Sequence, residues 1–345
     1  MAPLIGLTLL LCALTPAVAR AVGVSGEVSY SLGLTMGYLS VSSLALVAFL
    51  IFLGRMAIAR EPNPIARCRE LARIQMGAWI IIFFSIPIVT SFYSAIASMK
   101  VLIPHVATYW ADPALAAIDR ALFFGIDPWR VTHALFGPTS TWLIDLIYTS
   151  WIPYSGALLI FLMVCRDRRI RAQGLLAYLL CWVVLGGMLA VGLASVGPCF
   201  YSQFYGDPYF QPLMANLAAV NDQHPLVALK AMARLEAEYQ ANSLELGAGI
   251  SAMPSLHVSI TMLGVLVARH YGRFWRLSAQ VYLSAILVGS VHLGWHYLVD
   301  GIVSIAGTIL IWKAVGLYLD AVGIRDRGGD DPVKVHTPAN AVQRG

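Results

Sequence analysis

Three residues in the last third of the chain, His257, His296 and Asp300, have the types and spacing that chemistry would use. Asp300 follows His296 by four residues, so on a helix the two share a face and the carboxylate can accept the imidazole N–H. Such a contact fixes the tautomer and leaves the other ring nitrogen as a nucleophile. His257 ends the run Pro254, Ser255, Leu256, His257. Pro254 suits a first helical turn and Ser251 or Ser255 can cap it, so this segment predicts a helix N-terminus, a ready site for an anion. His296 lies in the run GWHYLVD at 294–300 and opens a second helix. Two helix N-termini and two histidines converging on one pocket would bind and attack a phosphate. A lone histidine at a helix end is more often a satisfied interfacial residue, whereas this pairing, about forty residues apart, is a more specific constellation.

Other residues carry weaker signals. Ser255 and Pro254 are candidate substrate-binding residues by position, and Tyr201 is a third. Tyr201 and Asp127 are explained about as well by interfacial anchoring and helix capping. His292, four residues before His296, has a spacing that a metal site could use. The alternative, that Gly294 breaks the helix and leaves His292 to the preceding span, is favoured, so no metal and no cofactor is expected.

The elements that must hold these residues are transmembrane helices. Of 345 residues, 59% are hydrophobic and 12% charged, far more apolar than a soluble domain. Apolar stretches able to cross about 30 Å of hydrocarbon fall at about 29–53, 76–99, 140–164, 173–197 and 253–269, and the stretch 277–318 is divided near Gly294. The fold class expected is an all-α integral membrane protein: a six-helix transmembrane core plus an N-terminal apolar segment. That segment, 1–22, reads as a signal peptide or an additional span. Residues 23–319 form one polytopic domain, and 320–345 read as a disordered cytoplasmic tail. Basic residues fill three short loops: Arg55, Arg60, Arg67, Arg69 and Arg73; Arg166, Arg168, Arg169 and Arg171; Arg269, Arg273 and Arg276. Retention of such residues in the cytoplasm puts segments 100–139 and 198–250, with the two histidine motifs, on the outward face of a plasma or inner membrane. The long segment before Pro254, with a helical stretch at about 225–244, is either a lid, a gate for incoming lipid, or a solvated connector. The basic loops form no continuous stripe, so nucleic-acid binding is excluded. No obligate protein partner is indicated. Five cysteines without paired spacing suggest neither a disulfide framework nor a zinc finger.

On the PSLH and GWHYLVD runs, the membrane-helix pattern and the aromatic segment around 119–130, the sequence resembles the type-2 phosphatidic acid phosphatase superfamily over about 75–318. Within it, the sequence resembles the branch that includes inositol phosphorylceramide synthases. The resemblance implies a phosphohistidine mechanism on membrane lipids: His296 attacks phosphorus, Asp300 orients it, and His257 protonates the leaving oxygen and then serves as base. It also implies sphingolipid-type chemistry, without a metal.

Two features depart from the family. Its first motif, a Lys followed by Arg-Pro, is not recognisable, and Gly289-Ser290 stands where the third motif usually opens with Ser-Arg. A phosphate monoester, with nearly two charges, wants such cations; a diester wants fewer. The expectation is therefore transfer of a phospho-headgroup between lipids, with hydrolysis of a lipid phosphate monoester as the alternative. Arg120, Arg130, Lys230 and Arg234, all in outward segments, are the residues able to restore the missing charge. A membrane metalloenzyme and a proton-coupled transporter are the alternatives of another class.

Overall fold

The computed structural model describes residues 2–24, 30–241 and 249–324, and these contain helices and no strand. The long helices are α1 (Ala2–Ala21), α2 (Tyr30–Ile58), α3 (Pro64–Val101), α6 (Pro138–Thr149) with α7 (Trp151–Val164), α8 (Arg168–Leu180), α12 (Arg273–His292) and α13 (Leu298–Ala321). Short helices α4 (Asp112–Leu122), α5 (Pro128–Leu135), α9 (Gln211–Asn221), α10 (Val227–Gln240) and α11 (Leu256–Ala268) complete the set used below. Among the described residues seven segments are long and apolar enough to cross a membrane: α1 and six others, with α6–α7 counted as one and α8 continuing to Gly192 through a π-helical stretch, Cys181–Leu189. The protein is thus an all-α, multi-pass membrane protein with an N-terminal apolar helix.

One expected span is shorter than its apolar run. At 253–269 the helix α11 has thirteen residues, about 20 Å by helical rise and short of the hydrocarbon thickness. The reason is local: Pro254 and Ser255 fix where the helix starts, and the chain leading to it runs without helix. That stretch is pinned instead by the Ala252 N–H on the Ser195 carbonyl (3.0 Å) and the Met253 N–H on the Ser195 hydroxyl (2.9 Å). Irregular backbone is tolerated at such depth when protein surrounds it. Nearly every side chain of α11 is buried, packed against α8, α12 and α13.

Gly294 divides the last apolar stretch as expected, with φ +75°, a value that suits glycine. α1 packs along α3 through Leu4, Leu11 and Ala19, and α2 also packs on α3. Of the expected tail, 320–345, residues 325–345 lie outside the described residues, while Asp320 and Ala321 still belong to α13.

The connections at 102–137, 193–241 and 249–255 gather at one end of the bundle, and three buried aspartates lock them there. Asp112 accepts the Val196 and Gly197 N–H groups (2.9 and 2.8 Å). Asp145 accepts those of Val227 and Ala228 (2.6 and 3.0 Å), and Asp119 those of Leu298 and Val299 (2.6 and 2.9 Å). Hydrogen bonds to a charged group are each worth roughly 1.5–3 kcal/mol, so these clamps outweigh most single contacts in the cap. Gly197 lets the chain pass close to the site: φ is +84°, and a Cβ there would sit 2.5 Å from the Trp295 carbonyl oxygen. The three arginine-bearing loops lie at the opposite end.

Candidate active site

His257 and His296 meet at the capped end. Ser255 begins α11, its hydroxyl accepting the Val258 N–H at 3.5 Å, and this places His257 in the first turn. The imidazole of His257 lies between Tyr148, stacked at 4.7 Å, and Trp151, at 4.1 Å between centroids. Its ring centroid is 5.9 Å from that of His296, near enough for one phosphoryl group, with reacting atoms about 3–3.5 Å apart, to touch both rings.

His296 is held from behind. Its Nδ1 faces Asp300 Oδ2 at 3.3 Å, and the same carboxylate oxygen accepts the Tyr297 N–H at 3.1 Å. Nε2 is the nitrogen that Asp300 leaves unengaged. The contact forms although His296 does not open the helix as expected: α13 starts at Leu298, so the chain entering the helix, and not a shared helix face, brings the imidazole to Asp300. Asp300 is fully buried, and its Oδ1 has no hydrogen-bond partner among the described residues. Asp119 then grips the next two backbone N–H groups, so the start of α13 is fixed from two carboxylates. Burial raises the Asp119 carboxyl to about 6, with the charges of Asp300 and Asp127 pushing the same way and the two N–H bonds opposing.

This corrects one expectation. The helix that begins beside His296 does not offer its N–H groups to a phosphate, because Asp119 and Asp300 already occupy them. The signal was the run at 119–125, whose aspartate acts across the fold on residues far along the chain.

A cavity of about 690 Å³ opens on both histidines. Pro254 and Leu256 line it beside His257, and so do two basic residues, Lys100 at the end of α3 and Arg234 on α10. Arg234 pairs with Glu238 at 2.5 Å. Arg120 and Arg130 are engaged elsewhere, on Tyr209 (3.2 Å) and on Asp127 (3.2 Å), and neither lines the cavity; nor does the exposed Lys230. Ser255 is buried and serves as the cap of α11. Tyr201 stacks on Tyr205 at 4.8 Å and lies outside the cavity lining. Sequence reasoning missed Lys100 because it sits at the end of an apolar span, without the Arg-Pro that would have marked it.

His292 belongs to α12. Its Nδ1 meets Thr132 Oγ1 at 3.0 Å and its Nε2 meets Thr141 Oγ1 at 2.9 Å, and its ring lies 4.3 Å from that of His133. Both nitrogens are therefore spent on hydroxyls of α5 and α6. Among the described residues no group of three or more His, Cys, Asp or Glu side chains is arranged to hold a metal ion.

A polytopic helical protein with two histidines converging on an internal cavity, one of them backed by a buried carboxylate, fits a membrane enzyme of phosphoryl chemistry. The family model of the PAP2 superfamily matches residues 113–314, well over half of the chain and including all three motif residues, so the chain belongs to the PAP2 superfamily. That superfamily comprises phosphatases and phosphotransferases, and this chain is an enzyme of that type. No match among curated proteins or solved structures accompanies it.

Proposed function

We propose that the enzyme transfers a phospho-headgroup from one membrane lipid to the hydroxyl of another through a phosphohistidine on His296, without a metal. The observation that carries this reading is the cavity, which joins His257, His296 and Lys100 at its polar end to an apolar lining within the membrane-spanning helices. In the first step His296 Nε2 attacks phosphorus and the bond from phosphorus to the donor's glycerol oxygen breaks. His257, protonated, gives its proton to that oxygen. In the second step neutral His257 takes the proton of the acceptor hydroxyl, whose oxygen attacks phosphorus and releases His296. Asp300 supports the positive charge on the attacking imidazole in both steps.

The charge at the cavity favours a diester donor. Lys100 supplies one positive charge, which matches the single charge of a phosphodiester, while Arg234 is tied to Glu238. Pro254 and the first turn capped by Ser255 shape the wall around the reacting group; a role for Tyr201 would have to act through Tyr205 and Phe210, against which it packs. A sphingolipid-type hydroxyl or a diacylglycerol is the acceptor class this reading implies. Purified protein given a headgroup-bearing phospholipid with ceramide or diacylglycerol should form the transferred product. Efficient hydrolysis of a phosphatidic-acid-type monoester, with the diester untouched, would make the chain a lipid phosphatase instead.

The arginine distribution further supports a site on the outward face of the membrane. In a background lacking the native cysteines, Gln223→Cys should react with an impermeant thiol reagent from outside and Arg168→Cys should not. Outside labelling of the Arg168 position would reverse the orientation.

A further inference from the structure

The cavity extends well beyond the reacting groups. From Lys100 it follows α3 past Ala97 and Tyr93 to Thr90, ten residues and about 15 Å by helical rise, half of the hydrocarbon thickness. Facing α3 across it are Ile152 and Gly156 of α7, with Trp182 of the π-helical stretch alongside. Polar groups on this limb are spent within the protein: the Thr90 hydroxyl donates to the Ile86 carbonyl at 2.8 Å, and the Ser155 and Tyr93 hydroxyls both bond to that of Tyr178. The limb is an apolar slot continuous with the catalytic end.

Gly156 has no packing reason to be glycine. Within a helix interior glycine costs about 1 kcal/mol relative to alanine, so its presence wants a compensating contact. Elsewhere in the bundle that contact exists: a Cβ on Gly174 would run into Leu162, on Gly186 into Leu256, and on Gly301 into Leu287. A Cβ on Gly156 would meet nothing within 4 Å. Lipid-facing glycines such as Gly77 also meet nothing, but Gly156 lines the cavity.

We propose that Gly156 keeps this limb open for one acyl chain of the lipid substrate and so sets which chain lengths react. The proposal rests on the reading of the polar end as a phospholipid reaction site. A methyl group at 156 meets no protein atom within 4 Å, which makes substitution there a probe of the slot and not of the fold.

The test uses the full chain, purified, with Gly156→Ala and Gly156→Leu beside the unaltered protein. For a long-chain phospholipid donor, kcat/KM should fall stepwise, by on the order of tenfold or more in the Leu variant, while a short-chain donor of the same headgroup reacts at the unaltered rate. Equal losses on both donors, or no loss on either, in protein that elutes as the unaltered chain does, would overturn the proposal. A readout independent of turnover accompanies it. A phospholipid carrying a photoactivatable group at its acyl terminus should label residues 90–97 and 152–156, and Gly156→Leu should abolish that labelling. Labelling confined to other segments would likewise overturn the slot. Labelling at these positions without turnover on any donor would uphold the slot and sink the proposed reaction.

Discussion

Two histidine pairs lie near the capped end, and they differ in what their nitrogens face. In the pair His133 and His292 the rings face protein: both nitrogens of His292 meet threonine hydroxyls, and His133 Nε2 donates to the His292 carbonyl oxygen at 2.8 Å. Burial holds the His133 pKa below its ordinary value, with the hydrogen bond to the His292 carbonyl opposing. In the pair His257 and His296 the rings open on a cavity, and only one nitrogen of His296 is fixed, by Asp300. His292 and His296 are four residues apart, yet the turn at Gly294 sends them to different pairs. Spacing alone therefore does not make a site; what decides is whether the backbone carries the helix through.

The largest effect should come from the open pair. Because attack and proton transfer act as a unit, His296→Ala and His257→Ala should each lower turnover on the order of 10³-fold or more, and the double variant should be little worse than either. Asp300→Asn should be nearly as severe, since the amide cannot support the imidazolium. Measured turnover that multiplies the two losses in the double variant would break the view of His257 and His296 as one unit. Near-normal turnover in folded His296→Ala would remove the pair from the mechanism altogether.

A smaller effect is expected at Asp119, which positions α13 without touching the reacting atoms. Asp119→Asn keeps the shape but leaves one oxygen for two N–H groups, and a loss of roughly tenfold in kcat with little change in KM is expected. The pH dependence carries a sign that distinguishes this role. Burial raises the Asp119 carboxyl from 3.8 to about 6, so the fold favours its protonated form. Stability from this group is present below about pH 4 and is lost as pH rises to about 6, whereas ionisation above about 6 is what secures both N–H bonds. Thermal unfolding of the unaltered protein should thus show a downward slope with pH across 4 to 6 that Asp119→Asn makes shallower, since burial pushes the Asp112 carboxyl up as well. Identical slopes in the two proteins would show that the carboxylate is not coupled to the fold in this way.

The distinction between the pairs was partly legible in the sequence. His296 and Asp300 act locally, four residues apart, and Gly294 between His292 and His296 announced the break. The apolar runs predicted the long helices for the same reason, since each span is a local property of its own residues. The aspartate clamps were not legible: Asp119 acts on Leu298 and Asp112 on Val196, pairings that only the folded chain creates. Lys100 was hidden in an apolar span, and the α13 N-terminus was read as an open anion site because nothing local shows that a distant carboxylate fills it. The length of α11 was misjudged because the apolar run begins upstream of a helix whose start Ser255 fixes.

The smallest effect on activity should come from the closed pair, and it is the one that tests the comparison most directly. A neutral His292 satisfies both threonines, one nitrogen donating and the other accepting. His292→Phe keeps a ring of similar outline against His133 and Phe136 but leaves the Thr132 and Thr141 hydroxyls without that partner. Without His292 each hydroxyl can donate to a backbone carbonyl within reach, of Trp129 at 2.9 Å and of Gly137 at 3.1 Å, so the loss should stay near the lower part of the about 1–3 kcal/mol range for an unmet buried group. Denaturant unfolding should register that loss, while kcat stays within a few-fold of the unaltered enzyme and prolonged treatment with EDTA changes neither protein. A folded His292→Phe variant with no turnover would place His292 in the reaction. Activity that EDTA removes from the unaltered protein would then favour the metal alternative, in which His292, His296 and Asp300 act together.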